Sequence, residues 1–104
     1  MKKGKYYIQT RKDGNTRAEL VEGYLLQDET GIQYGAKFSA GIGWQITEIS
    51  TGCLITTFNR RPKNKDDINR YINEMRPAVL SVLKSKNGRE MVERFNKLIE
   101  EVSK

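Results

Sequence analysis

The sequence predicts an α+β fold: an antiparallel sheet of four or five strands over about residues 5–58, followed by two or three C-terminal helices packed on one face. The first 59 residues are rich in strand formers and contain regularly spaced glycine turns. After position 64, apolar residues recur every three to four positions, which is the helical spacing. A length of 104 residues suits one domain with a modest core, so residues 1–104 are expected to form a single domain.

The first two strands are expected to form a hairpin. Tyr6 and Tyr7 favour a strand, and because they are adjacent they point to opposite faces, so that one of them leaves the helix-covered face. Residues 13–15, Asp-Gly-Asn, are a strong hairpin signal because Gly adopts a positive φ without steric cost. Residues 16–26 form the return strand, in which Gly23 indicates a bulge or a close backbone contact.

The third strand is predicted from a clean alternation over residues 32–38, after a turn at residues 28–31. Such an alternation is typical of a half-buried antiparallel strand. The residues expected on its buried face are Ile32, Tyr34, Ala36 and Phe38.

The last two strands are predicted at residues 44–49 and 53–58. If residues 51 and 52, Thr-Gly, are a two-residue turn, Ile49 is expected to lie opposite Leu54.

A first helix is predicted to begin near Asn64 or Asp66, where carboxylates in the first turn complement the helix dipole. Its apolar stripe is interrupted by Pro77. Because an internal proline removes a hydrogen bond and clashes with the preceding turn, this pattern indicates either one kinked helix or two helices.

The last helix is predicted over about residues 88–102. Asn87 followed three positions later by Glu90 has the pattern of a capping box, with Asn87 as the N-cap. Within the apolar stripe of this helix, Phe95 and Leu98 are expected to anchor it on the core.

The composition argues against catalysis. The chain has no His and one Cys, which excludes Ser-His-Asp and Cys-His catalysis and a structural zinc site. Its carboxylates show no metal-binding spacing, and Asp66 with Asp67 is interpreted as the start of a helix. The Gly-Ile-Gly of residues 41–43 is followed by a predicted strand instead of the helix that a dinucleotide site requires. We therefore expect a non-enzymatic protein with no metal and no cofactor.

The single Cys and the lack of an apolar targeting or membrane-spanning stretch favour a cytoplasmic protein without a membrane association. Cys53 itself is interpreted as a packed thiol.

Positive charge is the strongest functional signal. The net charge is +6, and residues 1–65 hold 11 basic against 6 acidic residues. Such a bias is typical of proteins that contact phosphate backbones, although it is also found on ordinary solubilising surfaces. The connector at residues 60–63 is the expected principal contact, because Pro62 holds its cations on a stiff stretch. The candidate polyanion contacts are Arg60, Arg61, Lys63, Lys65, Arg11, Lys12, Arg17 and Lys37.

Two aromatic residues are candidates for stacking on nucleic-acid bases. Tyr7 is expected on the open sheet face together with Lys37, and Trp44 stands beside the glycine-rich residues 41–43. Partial burial against a neighbouring strand is the alternative for either ring.

These observations favour a small basic binding module that contacts nucleic acid or a nucleoprotein complex. The alternative is an accessory protein of a phage or mobile element that binds and inhibits a host effector protein. A homodimer formed through an exposed strand edge or helix face is compatible with both.

Overall fold

The computed structural model describes residues 2–58 and 65–103, apart from the side chains of residues 56–58 and 65–67. It confirms the predicted α+β fold, with five antiparallel strands in meander order followed by two helices. The elements are β1 (Lys2–Lys12), β2 (Asn15–Gln27), β3 (Gln33–Ser39), β4 (Gly43–Glu48), β5 (Cys53–Phe58), α1 (Lys65–Lys84) and α2 (Lys86–Val102).

The long β1–β2 hairpin turns at Asp13 and Gly14, whose φ angles of 54° and 80° give the type I′ geometry that matches strand twist. Pairing is continuous from Lys12 opposite Asn15 to Lys2 opposite Leu25. The hairpin therefore has no bulge at Gly23. This glycine instead marks a close backbone contact, the other predicted alternative, because a Cβ there would come within 2.5 Å of the Ala36 carbonyl oxygen.

The sheet has two faces with different neighbours. The helix-side face carries Tyr34, Ala36 and Ile46, which pack with residues of α1 such as Ile68 and Ile72 to form the core. Of the four residues predicted for the buried face of β3, the first three are buried, whereas Phe38 is 42% exposed.

The opposite face is partly covered by the hairpin itself, because the sheet curls. Tyr6 is 4% exposed, and its ring occupies the space that a side chain at Gly35 would need. At the far edge of β1, the backbone N–H of Gln9 donates to the carbonyl of Gly52 over 2.8 Å, and the Gln9 Nε2 donates to the Thr51 carbonyl over 2.7 Å. The first strand therefore meets the β4–β5 connection.

The predicted β4–β5 register is wrong. Glu48 pairs with Cys53, a bulge lies between Ile46 and Thr47, and four residues connect the strands. The cause is the buried carboxylate of Glu48, which accepts hydrogen bonds from the Ser50 N–H (2.6 Å), the Ser50 hydroxyl (2.7 Å) and the Thr51 N–H (3.1 Å). These side-chain bonds stabilise a wider turn than a two-residue loop.

The first helix, α1, is one continuous helix through Pro77, so residues 65–103 form two helices instead of three. Within the described residues no helix has both the length and the apolar character needed to cross a membrane.

The predicted N-cap of α2 is also wrong: Ser85, not Asn87, caps the helix and accepts from the Gly88 N–H at 3.0 Å. Position 88 is a glycine inside the helix because its backbone passes close to the Val82 carbonyl oxygen, and a side chain there would clash with that oxygen. The corner between the two helices therefore requires a glycine one turn into α2.

Phe95 is 1% exposed, and its ring packs directly on Gly52 at the β4–β5 connection. The expected burial of this ring is confirmed, whereas Leu98 is only half-buried. The last helix is thus seated on the same connection that receives β1.

We predict that Phe95→Ala lowers the free energy of unfolding by about 3–5 kcal/mol, because it leaves a cavity beneath α2. Val102→Ala, a truncation at a 46% exposed position of the same helix, should change it by less than about 0.5 kcal/mol. Urea unfolding followed by circular dichroism measures both, and equal losses would contradict this assignment of the anchor.

We predict that Gly35→Ala destabilises the fold by about 1–3 kcal/mol, because the new methyl group overlaps the Tyr6 ring. The cost should be much smaller in a Tyr6→Leu background, where the ring is absent. A double-mutant cycle from denaturant unfolding measures this coupling; additive effects would mean that the ring is not the obstacle.

Candidate functional site

The hairpin cations predicted as contacts are divided between the two faces by strand alternation. Arg11 lies opposite Thr16 on the helix-side face, whereas Arg17 lies opposite Thr10 on the other. Lys12 shares the face of Arg17, and Lys37 of β3 also lies on that opposite face. One hairpin therefore presents positive charge in two directions.

A cavity lies on the helix-side face, between the hairpin and α2. This hairpin–helix cleft has a volume of about 550 Å³. Its lining residues are Gln9, Thr16, Met91, Arg94, Lys97 and Leu98. Arg11 is next to the cleft, because it is the direct cross-strand partner of Thr16 on the same face.

The cleft is electrostatically suited to an anion. Within residues 2–58 and 65–103, the side chains of Arg11, Arg94 and Lys97 make neither an ion pair nor a hydrogen bond. Among the described residues no carboxylate lines the cleft, although Glu90 lies one helical turn from Arg94, and Glu93, Glu100 and Glu101 lie one turn from Lys97 on α2. The charged groups are thus available to bind a ligand, and Met91 and Leu98 supply apolar surface in the same cleft.

Sequence reasoning missed Arg94 and Lys97. The second part of the chain is nearly neutral, so its cations gave no bias to detect. A positional signal exists, because the two residues are three apart and adjoin the apolar stripe of α2. Their position beside the hairpin is set by tertiary packing, which the spacing of residues in the sequence does not show.

A second, smaller depression of about 190 Å³ lies on the opposite face and contains Lys37. Its other lining residues are Tyr6, Ile8, Gln9, Thr10, Gln45, Thr47, Gly52 and Leu54. Burial raises the pKa of the Tyr6 hydroxyl to about 12, so this ring is neutral at physiological pH. Lys37 is the single charged side chain among the described residues of this lining.

Both candidate aromatics lie on the helix-side face. Tyr7 is the partner of Leu20 on the hairpin and is half-buried. The expectation that Tyr7 shares a face with Lys37 is wrong, because Tyr6 takes that side of the strand. The hairpin folds back over the sheet and buries the ring that faces Lys37.

Trp44 belongs to an aromatic row with Tyr24 and Phe38. The Trp44 ring centre is 6.1 Å from that of Tyr24 and 5.7 Å from that of Phe38, with the second pair edge-to-face. Tyr24 and Trp44 are half-buried against the core, whereas Phe38 is 42% exposed. The row is therefore a fixed platform with one exposed end.

The remaining predicted contacts, Arg60, Arg61 and Lys63, lie outside the described residues, as does the side chain of Lys65.

The two carboxylates with the most hydrogen bonds are structural. Glu48 shapes the β4–β5 turn, and Asp28 joins the β2–β3 turn to α1. Asp28 accepts from the Tyr34 hydroxyl at 2.9 Å and from the Thr30 N–H at 2.8 Å, and its Oδ2 is 3.4 Å from the Arg76 Nε. In the part of the chain that the structure describes, no three His, Cys, Asp or Glu residues are grouped as metal ligands.

Burial by itself would raise the pKa of Asp28, but hydrogen bonds from Thr30, Tyr34 and Ile32 outweigh it and hold the pKa below its usual value. Burial and the bond to Asp28 raise the pKa of the Tyr34 hydroxyl, which therefore remains a donor.

We predict that Asp28→Asn costs about 2–3 kcal/mol near neutral pH, because the charged acceptor of these hydrogen bonds is removed. The pKa of Asp28 is lower in the folded than in the unfolded state, so its contribution is complete above the unfolded pKa of about 3.9. It disappears as the pH falls through the folded pKa. Urea unfolding of both proteins from neutral pH to about pH 2 measures the difference; a difference that does not shrink in acid would contradict this role.

No protein-family model, curated protein or solved structure matches the chain.

Proposed function

We propose that this protein is a non-catalytic nucleic-acid-binding module that holds the sugar–phosphate backbone in the hairpin–helix cleft. The observation that carries the proposal is the convergence of Arg94 and Lys97 from α2 with Arg11 from the hairpin. Arg94 and Lys97 line the cleft, and Arg11 stands beside it as the partner of the lining residue Thr16. None of the three side chains has a partner among the described residues.

The chemistry of the cleft fits phosphate groups. Arginine offers a planar set of N–H donors that matches phosphate oxygens in pairs, and lysine adds a compact charge. Binding would release condensed counterions from the nucleic acid, so affinity depends on salt. The net charge of +6 adds a long-range attraction to any polyanion.

The other predicted cations lie outside the cleft. Lys12 and Arg17 lie near the tip of the same hairpin, on its opposite face. The connector residues Arg60, Arg61 and Lys63 remain proposed contacts on the strength of their charge and spacing.

We predict that the parent protein binds labelled oligonucleotides with an affinity that falls steeply as salt rises. Replacing Arg94 and Lys97 together by Gln, which keeps helix propensity, should weaken binding. It should also flatten the slope of log affinity against log salt by about 0.7–0.9 for each phosphate group that the variant no longer neutralises. Fluorescence anisotropy at several salt concentrations measures both quantities.

Two controls isolate the cleft. Lys84→Gln removes one charge from an exposed position at the end of α1, away from the cleft, and should leave the slope unchanged. Glu101→Gln removes one of the acids that lie one turn from Lys97 and should strengthen binding. If the double variant keeps the parent slope, the phosphates bind at the connector or at the hairpin tip; a triple Arg60, Arg61 and Lys63 to Ala variant then locates them.

A second candidate function is the binding and inhibition of a host effector protein. It is favoured by a pit of about 210 Å³ between the helices and β5, which is mostly apolar and has Val82, 47% exposed, at its rim. Such a pit suits an aliphatic anchor of a partner protein. A parent protein without any salt-dependent oligonucleotide binding would exclude the first function and leave this one.

A further inference from the structure

We infer that the nucleic acid bound by this protein is single-stranded, and that its bases stack on the aromatic row of Tyr24, Trp44 and Phe38. This inference rests on the proposed function, because the cleft and the aromatic row occupy the same face of the molecule. The cleft would hold phosphates at one end, and the row would hold bases at the other.

The β1–β2 register creates a continuous path between the two ends. In β1, residues 3, 5, 7, 9 and 11 share the helix-side face, since side chains alternate and the pairing has no break. Eight residues separate Arg11 beside the cleft from Lys3, a distance of about 27 Å at the usual rise of a strand. Lys3 is the direct partner of Tyr24, the first ring of the row.

The part of the path next to the aromatic row is exposed, whereas nearer the cleft the path crosses Ala18, the partner of Gln9, which is 5% exposed. Lys3, Lys5 and Leu20 are exposed, and Leu20 is the partner of the half-buried Tyr7. Glu22, opposite Lys5, is the carboxylate that this stretch of hairpin places on the path. A ligand along the path would therefore meet cations at both ends and mostly apolar surface between them, a combination that suits single-stranded nucleic acid.

The aromatic row is prepared for stacking. Tyr24 and Trp44 are fixed against the core, so little side-chain freedom is lost when a ligand binds. Phe38 exposes 42% of its surface at the end of the row, and Ile42 in the adjoining turn is 50% exposed. Aromatic rings accept any base, because every base has a π face.

A duplex would not use this surface in the same way. Its bases stack on one another, and their faces are inaccessible to a protein unless a nucleotide is unstacked. Single-stranded bases are free to turn toward the rings while their phosphates follow the cations. The lysines beside the row distinguish it from a purely apolar protein-docking surface, which excludes charge from its centre.

The test compares three labelled ligands of equal length, roughly 12 nucleotides, within the ~4–16 that one small β-domain covers. They are an oligothymidylate, an abasic oligonucleotide with the same number of phosphates, and a duplex. We expect the oligothymidylate to bind about fivefold to a hundredfold more tightly than the abasic strand, and more tightly than the duplex. Trp44 is the only tryptophan, so its fluorescence should be quenched by the oligothymidylate and not by the abasic strand.

Variants separate stacking from charge. Phe38→Ala, at an exposed position, should lower the affinity for oligothymidylate and leave that for the abasic strand unchanged. Val102→Ala, a similarly exposed apolar position on α2 outside both proposed sites, is the matched control and should change neither. The Arg94 and Lys97 double variant should lower the affinity for the oligothymidylate and the affinity for the abasic strand by the same factor.

The outcomes distinguish the two proposals. Equal affinity for all three ligands, with Phe38→Ala binding like the parent, would overturn the inference and leave the proposed function standing. Preference for the duplex would also overturn it. If no ligand binds at any salt concentration, the proposed function fails and the inference fails with it.

Discussion

The architecture depends on the packing of the Tyr6 ring over Gly35. A ring can lie flat on a strand only where the residue beneath it has no side chain, and Gly35 provides that space in the middle of β3. Gly23 does the same in β2, where the backbone passes close to the Ala36 carbonyl. Together the two glycines let the hairpin fold back over the sheet while the apolar ring stays buried.

Both ends of the sheet are brought together by this folding. Once the hairpin curls, Gln9 reaches the β4–β5 connection and bonds to Thr51 and Gly52. Phe95 of α2 packs on Gly52 from the helix side. Residue 52 is therefore held both by the first strand and by the last helix, and the hairpin–helix cleft is the space that remains between these two elements.

The proposed function follows from the same arrangement. Strand alternation divides the hairpin cations between two faces, so no single face collects the whole positive charge of residues 1–65. The helix-side face gains Arg94 and Lys97 from a segment whose overall charge is almost balanced. A binding surface made in this way depends on tertiary packing, and a variant that loosens α2 would weaken it without removing any charge.

The sequence by itself determined the order and type of the elements, because turn residues and apolar spacing are local signals. Asp13 and Gly14 specify a hairpin, and the spacing around Phe95 specifies an amphipathic helix with a buried ring. Other features were decided by how side chains bond and pack in the folded chain. The buried carboxylate of Glu48 widened the last turn and shifted its register, and capping by Ser85, which accepts from the Gly88 N–H, set the start of α2 at Lys86. The candidate site belongs to this second group: the partner cations of Arg11 lie more than eighty residues away, and only the seating of Phe95 on Gly52 brings them to the hairpin.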